Sequence, residues 1–173
     1  MMTNLRSLLR LLPPPAALAR PLRLLPQPLL NRGSQVLVDA VLAAPLASGS
    51  LDHLAGRRLG VEVTDLGLCW VIAIDERRVS VLEPGATAES TVRGTATDLL
   101  LLASRLEDAD TLFFQRRLQL TGDVELGLTV RNLLDQLPWE AMPLGLRIGL
   151  NRGARLARAA RDAHRDADQG ATA

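Results

Sequence analysis

The chain has 173 residues, 47% of them apolar, and a formal net charge of +1. That length supports one domain whose core buries roughly 70% of the unfolded surface, and the apolar fraction excludes a disordered chain. All 20 positive charges are arginines and tyrosine is absent. Arginines that alternate with leucines and prolines, with no aromatic rings between them to stack on bases, argue against nucleic-acid binding.

The net charge hides an asymmetry. Residues 1–38 hold five arginines (Arg6, Arg10, Arg20, Arg23, Arg32) and no acid, six more arginines lie between 147 and 165, and the middle is net acidic. A basic, leucine-rich end suits an anionic and partly apolar partner, which points to a membrane surface. Leu5, Leu8, Leu9 and Leu12 fall at i, i+3, i+4 and i+7, with Arg6 and Arg10 on another side. This pattern predicts a short, membrane-contacting amphipathic helix that stops at Pro13-Pro14-Pro15.

Ala17-Leu18-Ala19 imitates a signal-peptide cleavage site, but the uncharged run from Leu11 to Ala19 contains the proline triplet. The expectation is a retained segment resting on the cytoplasmic face of the membrane. No uncharged stretch approaches the 18 or so residues, roughly, that a span requires. Six of the ten prolines fall within residues 13–28, so 13–32 reads as an extended, hydrophobic linker. The expected organisation is an arm at 1–33, a folded domain at 34–162 and a polar tail at 163–173.

In the domain, Ser34 is a candidate N-cap for a helix with Val38, Val41 and Leu42 on its apolar face and a bend at Pro45. Leu59, Val61 and Val63 alternate with Gly60, Glu62 and Thr64, giving a strand with one buried face. After a turn at 65–67, Leu68 to Ile74 is apolar on both faces and reads as a central strand, with Cys69 a buried, inert thiol. Strands at 78–82 and 88–95 would continue an antiparallel meander.

Thr97 is the candidate cap of a helix over 99–102, and an acidic loop occupies 107–110. Leu118 and Leu120 alternate with Arg117 and Gln119 as a fifth strand ended by Gly122. Asp123 and Glu125 then open a helix with a stripe of Leu126, Val130, Leu133, Leu134 and Leu137, stopped by Pro138. A last helix runs from about Met142 to Arg161. The order implies an α+β fold: one sheet, helices on a single face, and an apolar cavity between the layers.

Candidate site residues cluster after position 100. Leu102, Leu112, Leu126, Val130, Leu133, Leu134 and Met142 are apolar candidates for a lipid-accepting cavity. Phe113 and Phe114, the only phenylalanines, lie on a strand or its approach and so point in opposite directions, one toward ligand and one into the core. Arg116 and Arg117 suit a phosphate or carboxylate head group, or equally the acids at 107, 108 and 110. Trp139 suits a tunnel mouth, a membrane interface or plain packing.

Catalysis finds no support. His53 and His164 are the only histidines, Cys69 the only cysteine, and no nucleophile elbow, phosphate loop or dinucleotide motif occurs. No cofactor is expected.

The segment DTLFFQRRLQLTGDVELGLTVRNLLD, with LDHLAGRRLGVEVTDLGLCW upstream, resembles the sterol carrier protein 2 (SCP2) family. More narrowly, it resembles the bacterial ubiquinone biosynthesis accessory factors of the UbiT type. The resemblance covers about 34–150 and rests most on Phe113 to Arg117 with Gly122-Asp123. It implies a mainly antiparallel five-stranded sheet covered by helices around a lipid tunnel, and a non-enzymatic role in oxygen-independent ubiquinone synthesis. The implied partners are isoprenoid quinone precursors or phospholipid, the iron–sulfur proteins UbiU and UbiV, and an anionic membrane. The residues alone leave two other functions open: a scaffold with a self-filled core, and an envelope lipid carrier.

Overall fold

The computed structural model describes residues 26–136, 140 and 142–170. The arm residues Leu5, Arg6, Leu8, Leu9, Arg10 and Leu12, and also Trp139, lie outside these. In chain order come α1 (Gln27–Ala47), a 3-10 turn (Asp52–Leu54), β1 (Arg58–Val63), β2 (Leu68–Asp75), β3 (Arg78–Val81) and β4 (Ser90–Gly94). They are followed by α2 (Ala96–Ala103), α3 (Ala109–Phe114), β5 (Leu118–Gly122), α4 (Val124–Gln136) and α5 (Leu144–Gly170).

The five strands form one sheet in the order β3-β2-β1-β4-β5. β1, β2 and β3 make the expected antiparallel run. β4 departs from the meander: it crosses back to lie parallel to β1, with Val61 opposite Val92, and β5 pairs antiparallel on its far side. The free edge of β3 is already occupied. Gln35 of α1 donates its amide N–H to the Val79 carbonyl (2.9 Å) and accepts from the Val81 N–H (2.7 Å), as a neighbouring strand would.

Alternation sorts the sheet into two faces. Leu59, Val61, Ile72, Val92, Leu118 and Leu120 share register on the helix-covered side. The opposite side carries Glu62 and Arg93, paired at 2.8 Å, beside Cys69. Cys69 is therefore exposed rather than buried, because its neighbours Leu68 and Trp70 take the inner face. Partial burial and then the Glu62 charge push its thiol pKa up. The core joins both layers, centred on Leu51, Leu54, Ile74, Leu112 and Leu118.

Helix starts differ from the sequence expectation in ways that capping chemistry explains. α1 begins at Gln27, so Ser34 is internal and its hydroxyl donates to the Leu30 carbonyl at 2.9 Å. Pro26 and Pro28 start this helix at positions whose missing N–H groups have no intrahelical role. Pro45 lies inside its last turn. α2 is capped by Thr95, two residues before the expected Thr97: the Asp98 N–H donates to Thr95 Oγ1 (3.2 Å), and the Thr95 hydroxyl donates to Asp98 Oδ2 (2.7 Å).

The loop at 107–110 starts α3, where Asp108 accepts the Thr111 N–H at 2.7 Å. Phe113 and Phe114 are thus helical and about 100° apart around the axis, not on opposite faces of a strand. Asp123 caps α4 as expected, accepting the Leu126 N–H at 3.0 Å. Gly122 must be glycine: its φ is +97°, and a Cβ would sit 2.2 Å from the Glu89 carbonyl oxygen.

Candidate functional site

Between the helices and the inner sheet face lies an apolar cavity of about 240 Å³. α1 supplies Leu37, Val38, Val41 and Leu42 as its roof. The sheet supplies Leu59, Val61, Ile72, Ile74 and Val92 as its floor, and α2 and α4 supply Leu99, Leu102, Ala103, Val130, Leu133 and Leu134 as walls. No polar side chain lines it. It forms because strand period 2 and helix period 3.6 present large aliphatic side chains toward each other while α1 is held off the sheet centre by its grip on β3.

Of the residues singled out from sequence, the structure brings Leu102, Val130, Leu133 and Leu134 together on this cavity. Leu112 (0% exposed) and Leu126 (3%) are buried core residues outside its lining. Phe113 packs against the core, with Arg131 6.0 Å above its ring. Phe114 is 91% exposed at the end of α3. Met142 is buried just before α5, away from the cavity. The α1 residues and the sheet floor complete the lining. Alternation at 59–63 and the apolar face at Val38, Val41 and Leu42 were their visible signals.

The two arginines separate in role. Arg117 donates from Nε to Asp98 Oδ1 at 2.9 Å and also pairs with Glu107. Arg161 of α5 donates to the same Asp98 oxygen at 2.8 Å, and Arg158 stands 3.7 Å from Glu107. Burial would raise the Asp98 pKa, but hydrogen bonds from Thr95, Arg117 and Arg161 outweigh it and hold the carboxyl below the usual range. This cluster fastens α5 to α2 and the start of β5. Arg116 has φ of +57° and an exposed side chain at the corner after α3.

Two hollows and one polar pocket share lining residues with the cavity. The polar pocket, about 650 Å³, lies between the end of α1 and the middle of α4 and includes His53, Ser48, Ser50, Thr129 and Asn132. His53, a lone histidine in a turn, gave no site signal in the sequence. Among the described residues, no cluster of three or more His, Cys, Asp or Glu stands close enough to hold a metal ion, and no helix is long and apolar enough to cross a membrane.

Comparison with known proteins agrees with this architecture. The profile of the SCP-2 sterol transfer family matches residues 38–135. Ubiquinone biosynthesis accessory factor UbiT of Escherichia coli (strain K12) is 38% identical over 136 residues, covering 79% of this chain and 78% of that protein. The solved structure of UbiJ-SCP2 ubiquinone synthesis protein superposes with a TM-score of 0.52 at 28% identity, covering 63% of this chain and 96% of the other. The mixed five-stranded sheet and its helical cover are the fold of these relatives, and the chain belongs to the SCP-2 sterol transfer family.

Proposed function

We infer that this protein is a non-catalytic lipid-binding accessory factor in ubiquinone biosynthesis, one that holds prenylated quinone intermediates or membrane lipid for hydroxylating partners. The observation behind this reading is the cavity at the layer interface, whose lining is aliphatic throughout. Such a lining provides no nucleophile, acid or base, so its chemistry is limited to sequestering an apolar chain. The likeness to UbiT supplies the pathway, and the accessory role in that relative's name supports a binding function.

The same reading places the protein on the cytoplasmic face of the membrane through the arginine- and leucine-rich arm at 1–33, acting in oxygen-independent synthesis beside UbiU- and UbiV-like iron–sulfur proteins. At about 240 Å³ the cavity is smaller than the ~300–1,000 Å³ of typical ligand sites, so a long prenyl chain needs α1 to swing outward or its end to run out between α1 and α4. The small volume is also what favours the second reading, a scaffold whose core is filled by its own side chains. Titrating delipidated full-length protein with a prenylated phenol separates the two: saturable binding supports the carrier, and no binding supports the scaffold.

A further inference from the structure

The cavity has no polar atom with which to orient a ligand, so the head of any chain-bearing molecule must lie in an adjoining space. Three spaces share lining residues with it. One, of about 450 Å³, shares Leu42 and is bordered by Asp39, Glu76 and Arg77. A second, of about 270 Å³, shares Leu102 and Leu134, and its acids are already engaged. Glu107 pairs with Arg117, Asp108 caps α3, and Asp135 accepts the Ala109 N–H at 3.2 Å. The third is the polar pocket of about 650 Å³, which shares Leu133.

The third pocket differs in having hydrogen-bonding groups to spare. His53 and Asn132 make no side-chain hydrogen bond among the described residues. The Ser48 hydroxyl donates to the Pro45 carbonyl at 3.0 Å and lies 2.7 Å from the Ser50 hydroxyl, and Thr129 donates to the Glu125 carbonyl at 3.0 Å, so these hydroxyls keep acceptor capacity at the pocket. The backbone of His53 is anchored, because it sits in the 3-10 turn between Leu51 and Leu54, both buried in the core, while its ring is exposed at the pocket. No arginine, aspartate or glutamate lines this pocket. A phosphate head group would therefore find no guanidinium partner, whereas phenol hydroxyls and quinone carbonyls match the available donors and acceptors.

We propose that the pocket formed by His53, Asn132, Ser48, Ser50 and Thr129 is the head-group site, that it takes an uncharged oxygenated ring, and that Leu133 is the partition past which the ring's apolar tail enters the cavity. This inference rests on the lipid-binding reading above and gives that site its ligand class. Leu133 lines both spaces, so its side chain stands between them.

The test measures binding of three probes to delipidated full-length protein: geranylgeranyl-phenol, the matching head-less hydrocarbon, and a lysophosphatidylglycerol. His53→Ala and Asn132→Ala each remove an exposed side chain, so circular dichroism should stay unchanged. Each variant should bind the phenol about three- to tenfold more weakly, the weakening expected for one lost hydrogen bond, with hydrocarbon affinity unaltered. Unchanged phenol affinity would overturn the site. An equal loss for the lysophospholipid would overturn the ligand class, and an equal loss for the hydrocarbon would reduce both residues to a structural role. If the wild-type protein binds none of the probes, the lipid-binding reading itself falls, a result distinct from all the others.

Discussion

Arg117 and Asp98 meet through two guanidinium nitrogens on one carboxylate oxygen, with Nε at 2.9 Å, where β5 begins beside the capped start of α2. Arg161 shares that oxygen and Thr95 holds the other, so Asp98 ties a strand and two helices together. Asp98 is almost fully buried, and removing its charge takes the carboxylate partner from Arg161 and leaves Arg117 with Glu107 alone. Asp98→Asn should destabilise the domain by about 3 kcal/mol in urea unfolding. It should also free the C-terminal half of α5, seen as faster amide exchange there.

The same residue predicts a pH response. Its folded pKa is depressed, so its contribution is fully present above its unfolded value of about 3.9 and is lost as pH falls through the folded value. Asp108 and Asp123 have pKa values lowered first by backbone N–H bonds from Thr111 and Leu126, so they titrate in the same acidic window. Stability should be flat between about pH 5 and 7 with respect to these groups and should fall below about pH 4. In Asp98→Asn the fall should be shallower, as measured by thermal denaturation across pH.

Arg116 occupies a position that helix geometry reserves for glycine. α3 ends in a Schellman closure, with the Arg116 N–H on the Phe113 carbonyl (3.0 Å) and the Arg117 N–H on that of Leu112 (2.9 Å). A φ of +57° is strained for arginine. Arg116→Gly should stabilise the domain by about 1 kcal/mol, raising Tm by about 2–4 °C, with lipid affinity unchanged. A loss of affinity would instead make its guanidinium a head-group contact.

Gln35 is the clamp between the cavity roof and the sheet edge. Gln35→Ala removes the hydrogen bonds to Val79 and Val81, and an exposed one to Asp39, and should cost about 1–2 kcal/mol. The Val81 amide should lose exchange protection, and ligand should enter and leave faster because α1 lifts more readily.

Filling the cavity should abolish binding without unfolding the protein. Val41 is half-buried in the roof, so Val41→Trp directs a large ring into the space at a cost of about 1–3 kcal/mol. Affinity for a prenylated phenol should fall at least about tenfold, equivalent to 1.4 kcal/mol. Full complementation by this variant in cells would favour the scaffold reading. For the arm, Leu8→Glu combined with Leu12→Glu should abolish binding to anionic liposomes and leave the circular dichroism spectrum of the domain intact.

What the sequence disclosed follows from which physics is local. Strands at 59–63 and 118–120 and the stripe on α4 were legible because alternation and helical spacing are written into neighbouring residues. The parallel pairing of β4 with β1 was not, since periodicity marks a strand but not its partner. α3 is six residues long, too short to show a helical period, so Phe113 and Phe114 were misplaced onto a strand. The start of α1 was hidden because prolines that open a helix look like those of a linker. His53 gave no site signal because Asn132 and Thr129, which line the same pocket, lie far from it in sequence and come near only through α4.

The central claim is that the cavity holds an apolar chain bearing a quinone-precursor head. Native mass spectrometry of gently purified full-length protein, with extraction and identification of what is bound, tests it most directly. A co-purifying prenylated aromatic is the predicted result. Protein that is clean of lipid and stays unliganded when prenylated phenols are added back would contradict the claim.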